Sequence, residues 1–232
     1  MCGRYVLVEN LAHLVDHPLE EPPEQVVGRY NVAPTQMVPV LRASEEGDTW
    51  RFDAFRWGLV PSWAKDKNMR QNLFNARGET LAEKPAFRSA FRKRRCLVPA
   101  TGFYEWAGPA GDRRTFFIRR KDGEPLLFAG LWERWDGDGS EPPLYSFTIV
   151  TTEANAEMSE FHHRMPVILD KEGQERWLDP NAPDMEALKA LLVPLPDGSL
   201  EITRVGTWVN RAGNEGPRCL DPFEGEGGLF EG

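Results

Sequence analysis

Arg95-Cys96-Leu97-Val98-Pro99-Ala100-Thr101-Gly102-Phe103-Tyr104-Glu105-Trp106 is the stretch that decides the fold class. It holds two short runs rich in branched or aromatic residues, Cys96–Pro99 and Gly102–Trp106, separated by a small-residue break. Such runs, bounded by Gly and Pro, read as β-strands. Seven further segments have the same character: Met37–Arg42, Arg51–Trp57, Thr115–Arg119, Leu126–Trp132, Leu144–Thr151, Met165–Leu169 and Ser199–Val205. Helical spacing is confined to Leu11–Leu19, Glu79–Phe91, Lys171–Leu178 and Met185–Leu192. Strands without a regular strand–helix alternation argue against a doubly wound sheet. They predict an α+β fold in a single domain: a curled mixed or antiparallel sheet, barrel-like, with short peripheral helices. The predicted domain runs from residue 1 to 222. The Gly/Glu-rich end, 223–232, reads as a disordered tail.

The 232 residues suffice to bury a core, and a 41% hydrophobic share is that of an ordinary globular chain. No apolar run approaches the ~20 residues of a membrane span. The start, Met1-Cys2-Gly3-Arg4-Tyr5, lacks signal-peptide anatomy. No membrane partner is expected, and the expected location is the cytoplasm, at the nucleoid, or the nucleus in a eukaryote. Three widely spaced cysteines form neither a disulfide framework nor a zinc pattern, so no metal is expected; Cys96 reads as a buried strand residue. The net charge of −8 disfavours a generic nucleic-acid binder. Yet Met69 to Cys96 holds eight Lys/Arg against two acids, enough for a local phosphate-binding surface.

Cys2 has a special position. Once Met1 is trimmed, its α-amine and thiol sit on adjacent carbons. An α-amine has a pKa of ~7.7–8.0 against ~10.4 for lysine, so much more of it is nucleophilic at neutral pH. It can attack an aldehyde to give an imine, and the thiol can close a five-membered thiazolidine. Asn75 and Arg77 lie in a polar loop, where Asn75 could orient a carbonyl or hydroxyl and Arg77 hold a phosphate. Side-chain alternation puts Glu105 with Phe103 and opposite Tyr104 and Trp106, and a carboxylate among aromatics suits acid–base work. His162 or His163 could move protons at a strand entrance, and Arg164 could bind phosphate. Trp63 could stack on a base. Each feature alone also has an ordinary reading: a small second residue, a loop, an edge-strand acid, a turn or a core tryptophan.

Together they form a pattern. Met1–Tyr5, Tyr30–Thr35, Trp57–Trp63, Asn75–Thr80, Phe87–Phe91, Arg95–Ala100, Gly102–Trp106 and His162–Pro166 resemble the successive blocks of the SOS-response-associated peptidase family, also called abasic-site processing proteins. A weaker block at Val209-Asn210 and Asn214–Pro217 extends the resemblance to about residue 220. The resemblance implies a protein that binds single-stranded DNA and links covalently to abasic sites through Cys2. Asn75 would position the reacting atoms, Glu105 would transfer protons and His162 would act as acid/base in ring opening and reversal. Arg4, Arg77 and Arg164 would contact phosphate and Trp63 would stack or wedge. No cofactor is implied, a monomer is expected, and strand cleavage by β-elimination is a side reaction if the ring fails to close. His163 occupies a place where the family often has an acidic or amide residue, so either histidine fits. Two other readings stand beside this one. In the first, the chain is a peptidase with Cys2 as nucleophile, acting on its own Met1 or on other proteins. In the second, it is a non-covalent single-strand binder.

Overall fold

The structure is a computed structural model. It describes residues 2–8, 10–11, 14–20, 28–45, 47–67, 73–109, 111–182 and 184–224. Its strands are β1 (Tyr5–Leu7), β2 (Arg29–Val32), β3 (Met37–Ala43), β4 (Trp50–Trp57), β5 (Asn75–Arg77), β6 (Arg95–Ala100), β7 (Gly102–Ala107), β8 (Arg114–Arg120), β9 (Leu126–Trp135), β10 (Leu144–Glu153), β11 (Arg164–Pro166) and β12 (Leu200–Val205). The helices are short: α1 (Arg88–Lys93), α2 (Ala156–Ser159), α3 (Lys171–Leu178) and α4 (Met185–Ala190).

Two sheets form. In the larger one β4, β3, β6, β9 and β10 pair in turn, and β10 also pairs with β4, so these strands close a barrel. The closing β4–β10 pair is parallel, with Ser146 opposite Arg56. β5 and β11 join β10 beyond it. The second sheet is antiparallel, in the order β12-β8-β7-β1-β2. The α+β architecture is therefore the expected one.

The quoted stretch links the two sheets. β6 belongs to the barrel and β7 to the second sheet, with only Thr101 between them. Gly102 sits at this corner. A Cβ there would lie 2.5 Å from the Phe117 ring and 2.6 Å from the Ile118 carbonyl, so only glycine lets β7 and β8 approach so closely.

The main core lies inside this corner. Tyr5 packs on Trp57 at 5.3 Å between ring centroids, and Phe103 meets Phe128 edge-on at 6.0 Å. Cys2 is fully buried in the same cluster. A second cluster, with Phe91, Trp177 and Leu188, fills the space beneath α1, α3 and α4. A third, with Val6, Tyr104, Val209 and Cys219, lies beneath the segment after β12. Cys96 is buried within β6, as its strand reading requires.

Several expectations change. Glu79–Phe91 is not one helix: a 3-10 turn (Gly78–Thr80) and α1 flank irregular backbone around Pro85, whose ring excludes a continuous helix. Within Leu11–Leu19, residues 14–19 run as bends ending in an isolated bridge from Leu19 to Trp50; Ala12 and His13 lie outside the described residues. The strand expected over Met165–Leu169 is displaced to Arg164–Pro166, with a single bridge at Ile168.

The basic run is split: Arg77, Lys84, Arg88, Arg92 and Lys93 are exposed, while two of its arginines are engaged by protein. Arg95 is buried and donates to the carbonyls of Phe91, Arg92, Trp177 and Asp179, tying the end of α1 to α3. Arg94 pairs with the buried Glu133. Arg70 lies outside the described residues. At the other end of the chain, Phe223 belongs to the fold: its N–H donates to the Arg204 carbonyl, and the Arg204 guanidinium covers its ring. Residues 225–232 lie outside the described residues. Among the described residues, no helix is long and apolar enough to cross a membrane.

Candidate active site

The site begins with the pairing of β1 and β7. Tyr5 lies opposite Phe103, so the antiparallel register carries the residues before Tyr5 alongside Glu105. The Tyr104 N–H donates to the Arg4 carbonyl at 3.0 Å and extends that pairing. Alternation sends Glu105 to the inner side with Phe103, while Tyr104 packs in the separate cluster on the other face. Glu105 is 4% exposed.

Cys2 is anchored by its backbone. Asn75 Nδ2 donates to the Cys2 carbonyl at 2.9 Å, and Cys2 Sγ lies 3.8 Å from the Arg4 carbonyl. Asn75 is placed by β5, which pairs in parallel with β10 through Ile149. The buried Oδ1 of Asn75 has no hydrogen-bond partner among the described residues. Such an acceptor is costly unless a bound group donates to it.

Burial pushes the Cys2 thiol well above its ordinary value, and the charge of Glu105 pushes it further. The thiol is therefore protonated at neutral pH. Reactive cysteines in cysteine peptidases are lowered instead, by a nearby cation or helix N-terminus.

His162 follows α2, and its N–H donates to the Met158 carbonyl at 2.8 Å. Its Nδ1 accepts from the Arg164 backbone N–H at 2.9 Å. A nitrogen that accepts carries no proton, so the neutral ring bears its hydrogen on Nε2. Burial is the main cause lowering the His162 pKa, and Glu105 acts in the opposite direction. Glu105 thus acts electrostatically on both Cys2 and His162. His163 stacks on His162 at 4.3 Å but is exposed.

The four cationic or aromatic candidates have different surroundings. Arg4 is half-buried; its Nη1 donates to Asn31 Oδ1 at 2.9 Å and to the Val209 carbonyl at 3.0 Å, and its guanidinium lies 5.7 Å from the Trp106 ring. Arg77 is exposed on β5, on the same face as Asn75. Trp63 is 58% exposed in the turn after β4. Arg164 is 7% exposed, and its fork is committed to protein: Nη1 and Nη2 reach the two Glu79 oxygens at 2.5 and 2.9 Å, and Nη2 also reaches the Thr151 carbonyl at 2.7 Å. Its guanidinium faces protein acceptors rather than solvent, so in this structure Arg164 holds the backbone that orients His162.

Some contributors were not foreseen from the sequence. Asn31 is fully buried; its Nδ2 donates to the carbonyls of Val209, Arg211 and Asn214, and its Oδ1 receives Arg4. Asn210 accepts from Trp106 Nε1 and Thr115 Oγ1. Glu79 fixes Arg164. These partners lie 27 to 183 positions apart, so no local pattern could announce them.

The family model described as SOS response associated peptidase (SRAP) matches residues 1–212. The abasic site processing protein YoqW of Bacillus subtilis is 37% identical over 227 residues, covering 95% of this chain and 99% of the relative. The abasic site processing protein HMCES of Gallus gallus is 33% identical, covering 84% of this chain and 66% of that protein. A crystal structure of a Bacteroides thetaiotaomicron protein superposes with a TM-score of 0.82 at 25% identity, covering 96% of this chain and all of that one. The chain therefore belongs to the SOS response associated peptidase family.

Proposed function

We propose that this chain, once Met1 has been removed, captures abasic sites in single-stranded DNA as a covalent thiazolidine on Cys2. The observation that carries this reading is the anchored Cys2: its carbonyl is fixed by Asn75 and its thiol is buried under the influence of Glu105, which also acts on His162. The names of its relatives point to the same lesion.

The chemistry balances. The neutral α-amine adds to the C1′ aldehyde of the ring-opened sugar and gives a carbinolamine. Glu105 relays a proton from the nitrogen to the departing hydroxyl, and water leaves as the imine forms. The thiol adds to the imine carbon, and its proton passes by way of Glu105 to the nitrogen. One water is released, and the amine and thiol are both consumed. A protonated thiol fits this order, in which the amine attacks first. Arg4 and Arg77 would hold phosphate and Trp63 would stack on a neighbouring base.

His162 would donate a hydrogen bond through Nε2 to the sugar oxygen as the ring opens or re-forms, as neutral histidines of lowered pKa do elsewhere. This role requires the neutral ring. Release of the crosslink should be level from pH 7 upward and fall as pH drops through a pKa below the ordinary histidine value of ~6.5. A pH series of release rates checks this: His162→Ala should remove the profile and His163→Ala should leave it. A profile lost with His163→Ala would transfer the role to that residue.

The function is tested on a denaturing gel with a single-stranded oligonucleotide carrying one abasic site. A second oligonucleotide carries the same site reduced to the alcohol. A heat- and detergent-stable shifted band is expected with the aldehyde alone. No band from protein of the mass expected after loss of Met1 would overturn the reading and favour the peptidase or the non-covalent binder.

A further inference from the structure

The segment after β12 does more than cover the second sheet. Its two 3-10 turns, Thr207–Asn210 and Pro217–Leu220, form the walls of a cleft of about 790 Å³. That volume is within the range of small-molecule sites. Trp208, Asn210, Arg211, Asn214 and Arg218 line it. Trp208 is 37% exposed, unusual for so large an apolar side chain, and the Arg218 guanidinium lies 4.3 Å from its ring centroid. Arg211 and Arg218 are both exposed, and among the described residues neither is in an ion pair with a carboxylate. Two exposed arginines thus share this cleft with an exposed indole, and one of them, Arg218, lies over its ring.

The cleft adjoins the candidate active site. Val209, in the first turn, accepts the Arg4 guanidinium through its carbonyl, and Asn210 of the same turn accepts from Trp106. The cleft is also built rather than collapsed at random. Asn31 holds three of its carbonyls, Glu215 accepts from Arg29 and the Tyr30 N–H, and Asn214 Nδ2 donates to the Trp208 carbonyl at 2.7 Å.

We propose that this cleft is a second nucleotide subsite, which takes a residue of the DNA strand beyond Arg4, with its base on Trp208 and its phosphate on Arg211 and Arg218. Stacking aromatics beside cationic side chains are the ordinary means of gripping a single strand without reading its sequence. Asp221 and Glu224 also line the cleft and balance the charge of its two arginines, so the base on Trp208 has to supply part of the affinity. An acidic peptide would use the arginines but not the Trp208 face. The proposal rests on the single-stranded DNA reading above.

The test is equilibrium binding of undamaged oligonucleotides of increasing length, at several salt concentrations, to the parent chain, Trp208→Ala and Arg211→Ala/Arg218→Ala. The side chains changed are on the surface, and thermal unfolding verifies that the variants fold. The parent chain should gain affinity once the oligonucleotide is long enough to enter the cleft. Trp208→Ala should lose about tenfold of that gain. The double arginine variant should lower the salt slope for long oligonucleotides by about 0.7 for each phosphate it no longer neutralises. Variants that bind every length with the parent's affinity and salt slope would overturn the subsite while leaving covalent capture standing. A parent chain that binds no single strand would overturn both.

Discussion

Cys2→Ala is expected to eliminate the heat-stable complex with abasic DNA. The loss should be roughly 10⁴-fold or more in rate, the scale seen when an essential nucleophile is removed. The reason is specific to a thiazolidine. Alanine at position 2 keeps an α-amine once Met1 is removed, so the imine still forms, but nothing closes onto its carbon. The imine hydrolyses on denaturation. Borohydride should therefore restore a shifted band to Cys2→Ala by reducing the imine to a stable amine, and the parent chain should need no such help. Non-covalent binding should change little, because Cys2 is fully buried and the candidate phosphate ligands lie elsewhere. Stable capture by Cys2→Ala without reductant would place the nucleophile at another residue. Failure of borohydride to trap it would contradict attack by the amine.

Glu105→Gln is the second large effect. Glutamine preserves the size of the buried side chain but cannot deliver a proton to the departing hydroxyl. Positioned acid–base groups contribute about 10²–10⁴ in rate, and the slowing should be in that range. The final yield of crosslink should approach that of the parent, because the equilibrium between aldehyde and thiazolidine belongs to the reactants. The time course of band formation, at saturating oligonucleotide, separates the two. A rate within about threefold of the parent would remove Glu105 from proton transfer, since even modest acid–base assistance exceeds that.

The two sheets were legible where strands are long enough to show their composition. β6, β7, β9 and β10 each carry six residues or more, and the expected segments fall within them. α3 was legible to the residue, because Asp170 caps it by accepting from the Gly173 N–H and the apolar positions keep helical spacing. β1, β2 and β5 were not, since three or four residues give no period to read and their pairing is decided by distant partners such as Phe103 and Ile149. Glu79–Phe91 misled because helix-forming residues surround Pro85, and one proline outweighs them.

The candidate site divides in the same way. Residue types made Cys2, Asn75, Glu105 and His162 candidates, each with an ordinary reading beside it, and the resemblance of the ordered blocks to a known family singled them out. What the types could not convey is commitment. Arg4, Arg77 and Arg164 look alike in sequence, yet Arg77 is exposed, Arg4 is shared with Asn31 and Val209, and Arg164 is locked to Glu79. His162 and His163 likewise look alike in sequence, yet the first accepts the Arg164 N–H and is partly buried while the second is exposed.

The central claim is that the amine and the thiol of one residue are both consumed at one carbon. The most direct measurement is the mass of the N-terminal peptide from digested protein–DNA complex, after treatment with a thiol alkylator. A peptide that begins at Cys2, carries the abasic sugar minus one water and takes up no alkylator would bear the account out. The same sugar adduct made heavier by an alkyl group on Cys2 would indicate an open imine. An adduct on any other residue, or a peptide still beginning at Met1, would contradict the account.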